Sequence, residues 1–127
     1  MSNVGQSRIG QIAIVCQDVA RATAFYRDTL GLNFLFAAGP TLSFFDVAGT
    51  RLMLSNMERN DEGQEFGTSV LYYFVTDIEG TRRDLMAKGV RFLNEAHMIA
   101  QMPDHQLWLA EFRDSEGNAM ALMEEKR

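Results

Sequence analysis

One carboxylate stands among unlike neighbours. Glu111 lies in the run Leu107-Trp108-Leu109-Ala110-Glu111-Phe112, where every other residue is apolar. Buried without a partner, such a group has its pKa raised and becomes a candidate for moving a proton. A salt bridge to Arg51 or Arg113, or exposure at a sheet edge, is the alternative. His97 and His105 are the only histidines, and both fall in segment 95–106 with Met98, Met102 and Pro103. With Glu111 they form a candidate acid/base set or an off-pattern metal site; solvated loop histidines are the plainer reading. Of the eight methionines, Met53, Met98, Met102 and Met123 are candidates to line or lid a cavity for varied apolar ligands, and Met86 and Met120 read as core filler.

The elements that must position these groups follow from periodicity. Residues 8–16 form an apolar, β-branched strand, and the single Cys16 at its end reads as buried, with no internal disulfide. Val19, Ala22, Phe25, Tyr26 and Leu30 recur at helical spacing, with Asp18 as N-cap and Gly31 as stop. A short strand at 34–37 precedes a hairpin of 41–46 and 51–55. Residues 56–68 are polar and read as a linker. A second series follows: strand 69–75, helix 78–88 capped by Asp77, short strand 91–94, irregular segment 95–106, and a hairpin of 107–113 and 119–124.

The second series repeats the first. Asp18 and Asp77 are 59 residues apart; Asp46 and Asp114, like Gly49 and Gly117, are 68 apart. The order βαβββ occurs twice, which puts equivalent positions of the two halves around a shared pocket. The expected fold is α+β: two tandem βαβββ modules forming a curved, partly open, eight-stranded barrel-like sheet with helices on its outer face. The 127 residues make a single domain, with module one at about 8–57 and module two at about 69–125. A net charge of −5 and a pI near 4.9 exclude nucleic acid and anionic membranes as natural partners. The polar stretch 1–6 lacks an apolar signal segment, no run approaches the roughly 20 apolar residues that span a bilayer, and a cytoplasmic protein is expected.

Ala24-Phe25-Tyr26-Arg27-Asp28-Thr29-Leu30-Gly31-Leu32 resembles the first-helix signature of the vicinal oxygen chelate superfamily, which includes glyoxalases, extradiol dioxygenases and bleomycin-resistance proteins. Phe112-Arg113-Asp114-Ser115-Glu116-Gly117-Asn118 resembles its hairpin motif. The likeness covers roughly residues 9–125 and speaks to fold more than to reaction. It implies four metal-ligand positions, two per module, on the first and last strands. Here they fall on Gln11, Met53, Val70 and Ala121. Glutamine can ligate a divalent ion; valine and alanine cannot, and a lone thioether does not suit a hard cation. No metal and no other cofactor is therefore expected.

Strand alternation carries the pocket lining outward from those positions, adding Tyr72, Phe74, Ala13, Val15, Arg51, Ser55, Ala119 and Met123. Fosfomycin-resistance relatives place substrate contacts three and five residues before the hairpin aspartate, which implies Glu111 and Leu109, with Ser43 and Thr41 as repeat mates. Trp108 has the opposite parity and reads as core. The expected function is a metal-free, homodimeric small-molecule binding protein of the bleomycin-resistance type. Tyr72, Phe74, Met53, Val70, Leu109 and Ala121 give apolar contact, and Gln11, Ser43, Arg51 and Glu111 orient the ligand. The alternative is a lyase, isomerase or epimerase acting on a small carbonyl compound, with Glu111, His97 or His105 moving the proton.

Overall fold

The computed structural model describes residues 4–6, 8–56 and 70–127. Most of the expected linker lies outside the described residues. The chain divides into two compact units, Met1–Phe66 and Gly67–Arg127, called modules one and two below.

Module one contains β1 (Gln11–Val15), α1 (Val19–Ala24), a π-helical turn (Phe25–Thr29), β2 (Asn33–Ala37), β3 (Leu42–Val47) and β4 (Thr50–Ser55). Module two contains β5 (Leu71–Phe74), α2 (Ile78–Ala87), β6 (His97–Gln101), β7 (Gln106–Arg113) and β8 (Ala119–Lys126). The fold is α+β, and the eight strands among the described residues form two four-stranded mixed sheets, ordered β1-β4-β3-β2 and β5-β8-β7-β6. β1 runs parallel to β4 and β5 parallel to β8; the other neighbours are antiparallel.

Each helix starts where an aspartate supplies the missing acceptor. Asp18 accepts from the Arg21 N–H at 3.0 Å, and Asp77 from the Gly80 N–H at 3.1 Å. Module two adds a tether: the Glu124 carboxylate on β8 accepts from the Ile78 N–H at 2.8 Å, fixing the start of α2 to the sheet. Gly31 and Gly89 take positive φ just after the helical segments. The first helix does not stay α-helical to Leu30. The Leu30 N–H reaches the Phe25 carbonyl, closing a π turn beside the buried Tyr26.

The helices cover one face of each sheet. α1 lies on β3 and β4, and α2 on β7 and β8. Under α1 are the buried Ile14, Cys16, Phe45, Leu52 and Leu54; under α2 are Ala110, Phe112, Met120 and Leu122. These side chains alternate with a second set that points away from the helix.

Two expected elements are corrected. The third strand of module two is not 91–94 but His97–Gln101, inside the segment expected to be irregular. Segment 91–94 still runs beside β7: the Leu93 N–H donates to Glu111 and the Arg113 N–H to Arg91, with a lone bridge between Phe92 and Phe112. The edge thus pairs with β7 in two pieces, and the break at 94–96 hides the strand from a search for continuous alternation.

Candidate functional site

In module two the helix-free face has two rows across the sheet. Tyr72, Ala121 and Glu111 are register partners in one; Phe74, Met123, Leu109 and His97 make the other. Tyr72 is 54% and Phe74 60% exposed, which is high for aromatic rings on a strand. Val70, just before β5, is exposed as well. Ala121 has the expected face but no accessible surface, flanked in the sheet by Tyr72 and Glu111. It forms a floor rather than a contact.

Glu111 lies on this face, but it is exposed rather than buried. Its partner within module two is not Arg113, which donates from Nη1 to the Gly117 carbonyl. Asn94, in the break of the edge, donates from Nδ2 to Glu111 Oε1 at 3.1 Å and accepts the Glu111 N–H on Oδ1 at 2.8 Å. One amide side chain thus holds both backbone and carboxylate of Glu111. The Asn94 carbonyl in turn accepts from Arg82 Nε at 3.0 Å. Sequence reasoning missed Asn94; the available signal was an amide residue in a polar interruption just after a short apolar stretch.

The two histidines part company. His97 is opposite Leu109 on β6, its Nδ1 2.9 Å from the Glu95 carbonyl. That places it diagonally from Glu111 on the same face, at the roughly 7–8 Å spacing of diagonal neighbours in an antiparallel pair. His105 sits in the β6–β7 turn, six residues from Glu111 and so roughly 20 Å along the strand. It cannot join Glu111 in an acid/base pair. Its Nδ1 is 2.7 Å from Asp104 and its Nε2 3.8 Å from Glu125. Hydrogen bonds from Arg127 and His105 bring the Asp104 carboxyl down to about 2. This cluster borders an open depression of about 420 Å³.

In module one the helix-free face carries Gln11, Arg51 and Asp46 in one row, and Ala13, Met53 and Phe44 in the next. Met53 is on this face, while Leu52 and Leu54 are buried on the other. Arg51 Nε donates to Gln11 Oε1 at 2.8 Å, and Gln11 Nε2 lies 3.8 Å from the Met53 sulfur. Phe44 stacks on Phe36 at 4.7 Å, and the Arg51 guanidinium lies 5.6 Å from the Phe44 ring centre.

Ser43 is corrected. It lies on the helix-covered face, fully buried, with a hydroxyl that has no partner. Thr41 precedes β3. The reason is hairpin length. Met53 pairs with Phe44 while its equivalent Ala121 pairs with Glu111, so β3 and β7 are 67 residues out of step while β4 and β8 are 68. The mate of Glu111 is Phe44, not Ser43, and the mate of Leu109 is Leu42. A one-residue shift moves every side chain to the other face.

Other residues fall as expected or beside it. Cys16 is buried and free. Trp108 has the helix-side parity but is only half-buried, with Lys126 Nζ 4.1 Å from its ring centre and its Nε1 donating to Gln106. Tyr73 hides an unpartnered hydroxyl, and burial, with the nearby Asp114 charge, pushes its phenol above the usual range.

The family's metal does not fit these residues. Of Gln11, Met53, Val70 and Ala121, only Gln11 offers a hard donor, and a guanidinium already binds that oxygen. Among the described residues, no three His, Cys, Asp or Glu side chains come together in a way that could hold a metal ion. None of the described helices is long and apolar enough to cross a membrane.

Residues 8–122 match the Glyoxalase/Bleomycin resistance protein/Dioxygenase superfamily, and the chain belongs to it. It is similar to the uncharacterized protein YraH of Bacillus subtilis (strain 168), 27% identical and covering 88% of this chain and 94% of that protein. Its fold is similar to that of a lactoylglutathione lyase from Agrobacterium tumefaciens, with a TM-score of 0.74, 22% identity and 93% of each chain covered. It is also similar to TnmS3, an antibiotic binding protein from Streptomyces sp. CB03234, with a TM-score of 0.73, 19% identity, and 98% of this chain and all of that one covered.

Proposed function

We propose that the protein is a metal-free, small-molecule binding member of this superfamily, a cytoplasmic homodimer whose helix-free sheet faces carry the ligand contacts. The donor set supports this reading most directly. Three of four ligand positions are hydrocarbon or thioether, and Arg51 occupies the oxygen of the fourth. The helix-free face of module two is suited to binding: exposed Tyr72 and Phe74 offer apolar contact, and Glu111 is held at both ends by Asn94. Leu109, Met53 and Val70 add apolar surface, and Gln11 and Arg51 add polarity. The name of TnmS3 as an antibiotic binding protein is consistent with such a role.

One observation favours a second reading, a lyase, isomerase or epimerase. Glu111 and His97 share a face at diagonal spacing, and the partner holding Glu111 is a neutral amide that leaves its charge uncompensated. Abstracting a proton α to a carbonyl then needs an oxyanion donor other than a metal.

The test is Glu111→Gln beside Glu95→Gln, scored against a panel of apolar and aromatic small molecules. Glu111→Gln is expected to change the affinity of a bound compound by at least about 1 kcal/mol, the scale of a hydrogen bond to a charged group. Glu95→Gln is expected to do almost nothing. Identical behaviour of the two variants removes Glu111 from the site.

A further inference from the structure

Arg51 raises a question of charge. Its register partner across β3–β4 is Asp46, and opposite charges in such positions ordinarily pair. Arg51 instead turns its Nε to Gln11. Among the described residues, neither its terminal nitrogens nor the Asp46 carboxylate has a protein partner. A guanidinium has five N–H donors, so the outer edge of Arg51 keeps its two-pronged face free. Arg8 stands beside it, anchored by one Nη1 bond to the Gly49 carbonyl at 3.2 Å.

These side chains line one open depression of about 550 Å³, with Arg8, Gln11, Asp46 and Arg51 as its polar wall and Leu35 as its apolar one. The volume is within the roughly 300–1,000 Å³ of small-molecule sites. Two guanidiniums and one carboxylate leave a net charge of +1, which suits a monoanion better than a doubly charged phosphate. A free Arg edge matches a carboxylate in a two-bond fork. Leu35 and the stacked Phe36–Phe44 pair are exposed or half-exposed apolar surface on the same sheet.

We propose that this depression binds the carboxylate of a small organic acid with a flat apolar body, Arg51 taking the carboxylate in a fork, Arg8 adding charge, and Leu35 with Phe36 receiving the body. The proposal rests on the small-molecule binding reading and narrows it to a chemical class. Gln11 then acts as a positioning residue: by holding Nε it turns the outer edge of Arg51 toward the depression. Asp46 disfavours dianions and so contributes selectivity.

The test compares 2-naphthoate with 2-naphthalenemethanol, which has the same ring system and no charge, by calorimetry on the full chain at low salt and pH 7. Naphthoate is expected to bind at least about tenfold tighter, the scale of one charge-assisted hydrogen bond. Arg51→Gln should bring the two affinities together, Arg51→Lys should keep part of the preference, and Arg8→Gln should reduce it less. Naphthoate should also shift the Nε signals of Arg8 and Arg51 in a ¹⁵N spectrum of the unaltered protein, a readout that needs no variant to fold. Equal affinities, or a preference that survives Arg51→Gln, overturn the carboxylate assignment and leave the binding reading standing. If neither compound binds at millimolar concentration, both fall.

Discussion

Module one closes its last hairpin with Ala48-Gly49, both at positive φ, the tight two-residue loop of a type I′ turn. Module two uses a loop one residue longer between equivalent strand positions, built on Asp114. The Asp114 carboxylate accepts from the N–H groups of Glu116 and Asn118, each at 2.8 Å, and from Asn118 Nδ2 at 3.0 Å. Asp46 has none of these duties; it is a strand residue opposite Arg51. The two aspartates look like repeats and do different work. The extra residue decides which side chains of β7 point away from the helix, and it puts Glu111 where module one has Phe44. Two modules with one topology thus set different polar groups beside aromatic rings: Glu111 with Tyr72 and Phe74 in module two, Arg51 and Asp46 with Phe44 in module one.

The largest effects should come from the phenylalanines that separate a 67-residue from a 68-residue correspondence. Phe45 and Phe112 are mates by structure and both fully buried. Phe45→Ala and Phe112→Ala are each expected to destabilise by about 3–5 kcal/mol in denaturant unfolding. Phe44→Ala, which the 68-residue correspondence would match to Phe112, should lose about 1 kcal/mol or less, since Phe44 lies on the helix-free face. A costly Phe44 and a tolerant Phe45 would falsify the assignment of faces.

The helix starts give a smaller contrast. A Cβ at Gly80 would come within 2.2 Å of Asp77 Oδ2, so Gly80→Ala must push the capping carboxylate aside. A loss of about 1 kcal/mol is expected, the usual worth of an N-cap. The equivalent position in module one, Arg21, already carries a Cβ, so Arg21→Ala should leave the Asp18 cap in place. Thermal melts of the two variants side by side decide the matter.

The smallest expected effect has the opposite sign. Ser43 buries an unpaired hydroxyl, and its mate in module two is the buried Ala110. Ser43→Ala makes module one resemble module two and should raise stability by up to about 1 kcal/mol, because an unsatisfied buried polar group is removed. A loss of more than that would mean the hydroxyl has a partner after all.

How much of this was legible beforehand varies with the kind of signal. The aspartate caps, the glycine stops and the order of elements follow from local chemistry, and the structure shows them. The faces of β1, β4, β5 and β8 follow from alternation, as Met53 and Tyr72 demonstrate. Ser43 was misplaced because the repeated Asp and Gly share one spacing while the strand before them does not. Phe44 and Phe45 are adjacent and alike, so matching either to Phe112 by character could not separate a spacing of 68 from one of 67. β6 was missed because its edge breaks at 94–96 and its residues, His97 to Gln101, alternate weakly. The Asn94–Glu111 contact depends on that break and has no signature in spacing.

The central claim is that these faces bind small molecules without the superfamily's divalent metal. Elemental analysis of protein purified without chelator tests it most directly, with Gln11→Ala as the control. The account predicts nickel, zinc, iron and manganese well below one equivalent, unchanged in Gln11→Ala, because three of the four positions lack a donor that suits such ions. One equivalent of metal in the unaltered protein, lost in Gln11→Ala, would contradict it.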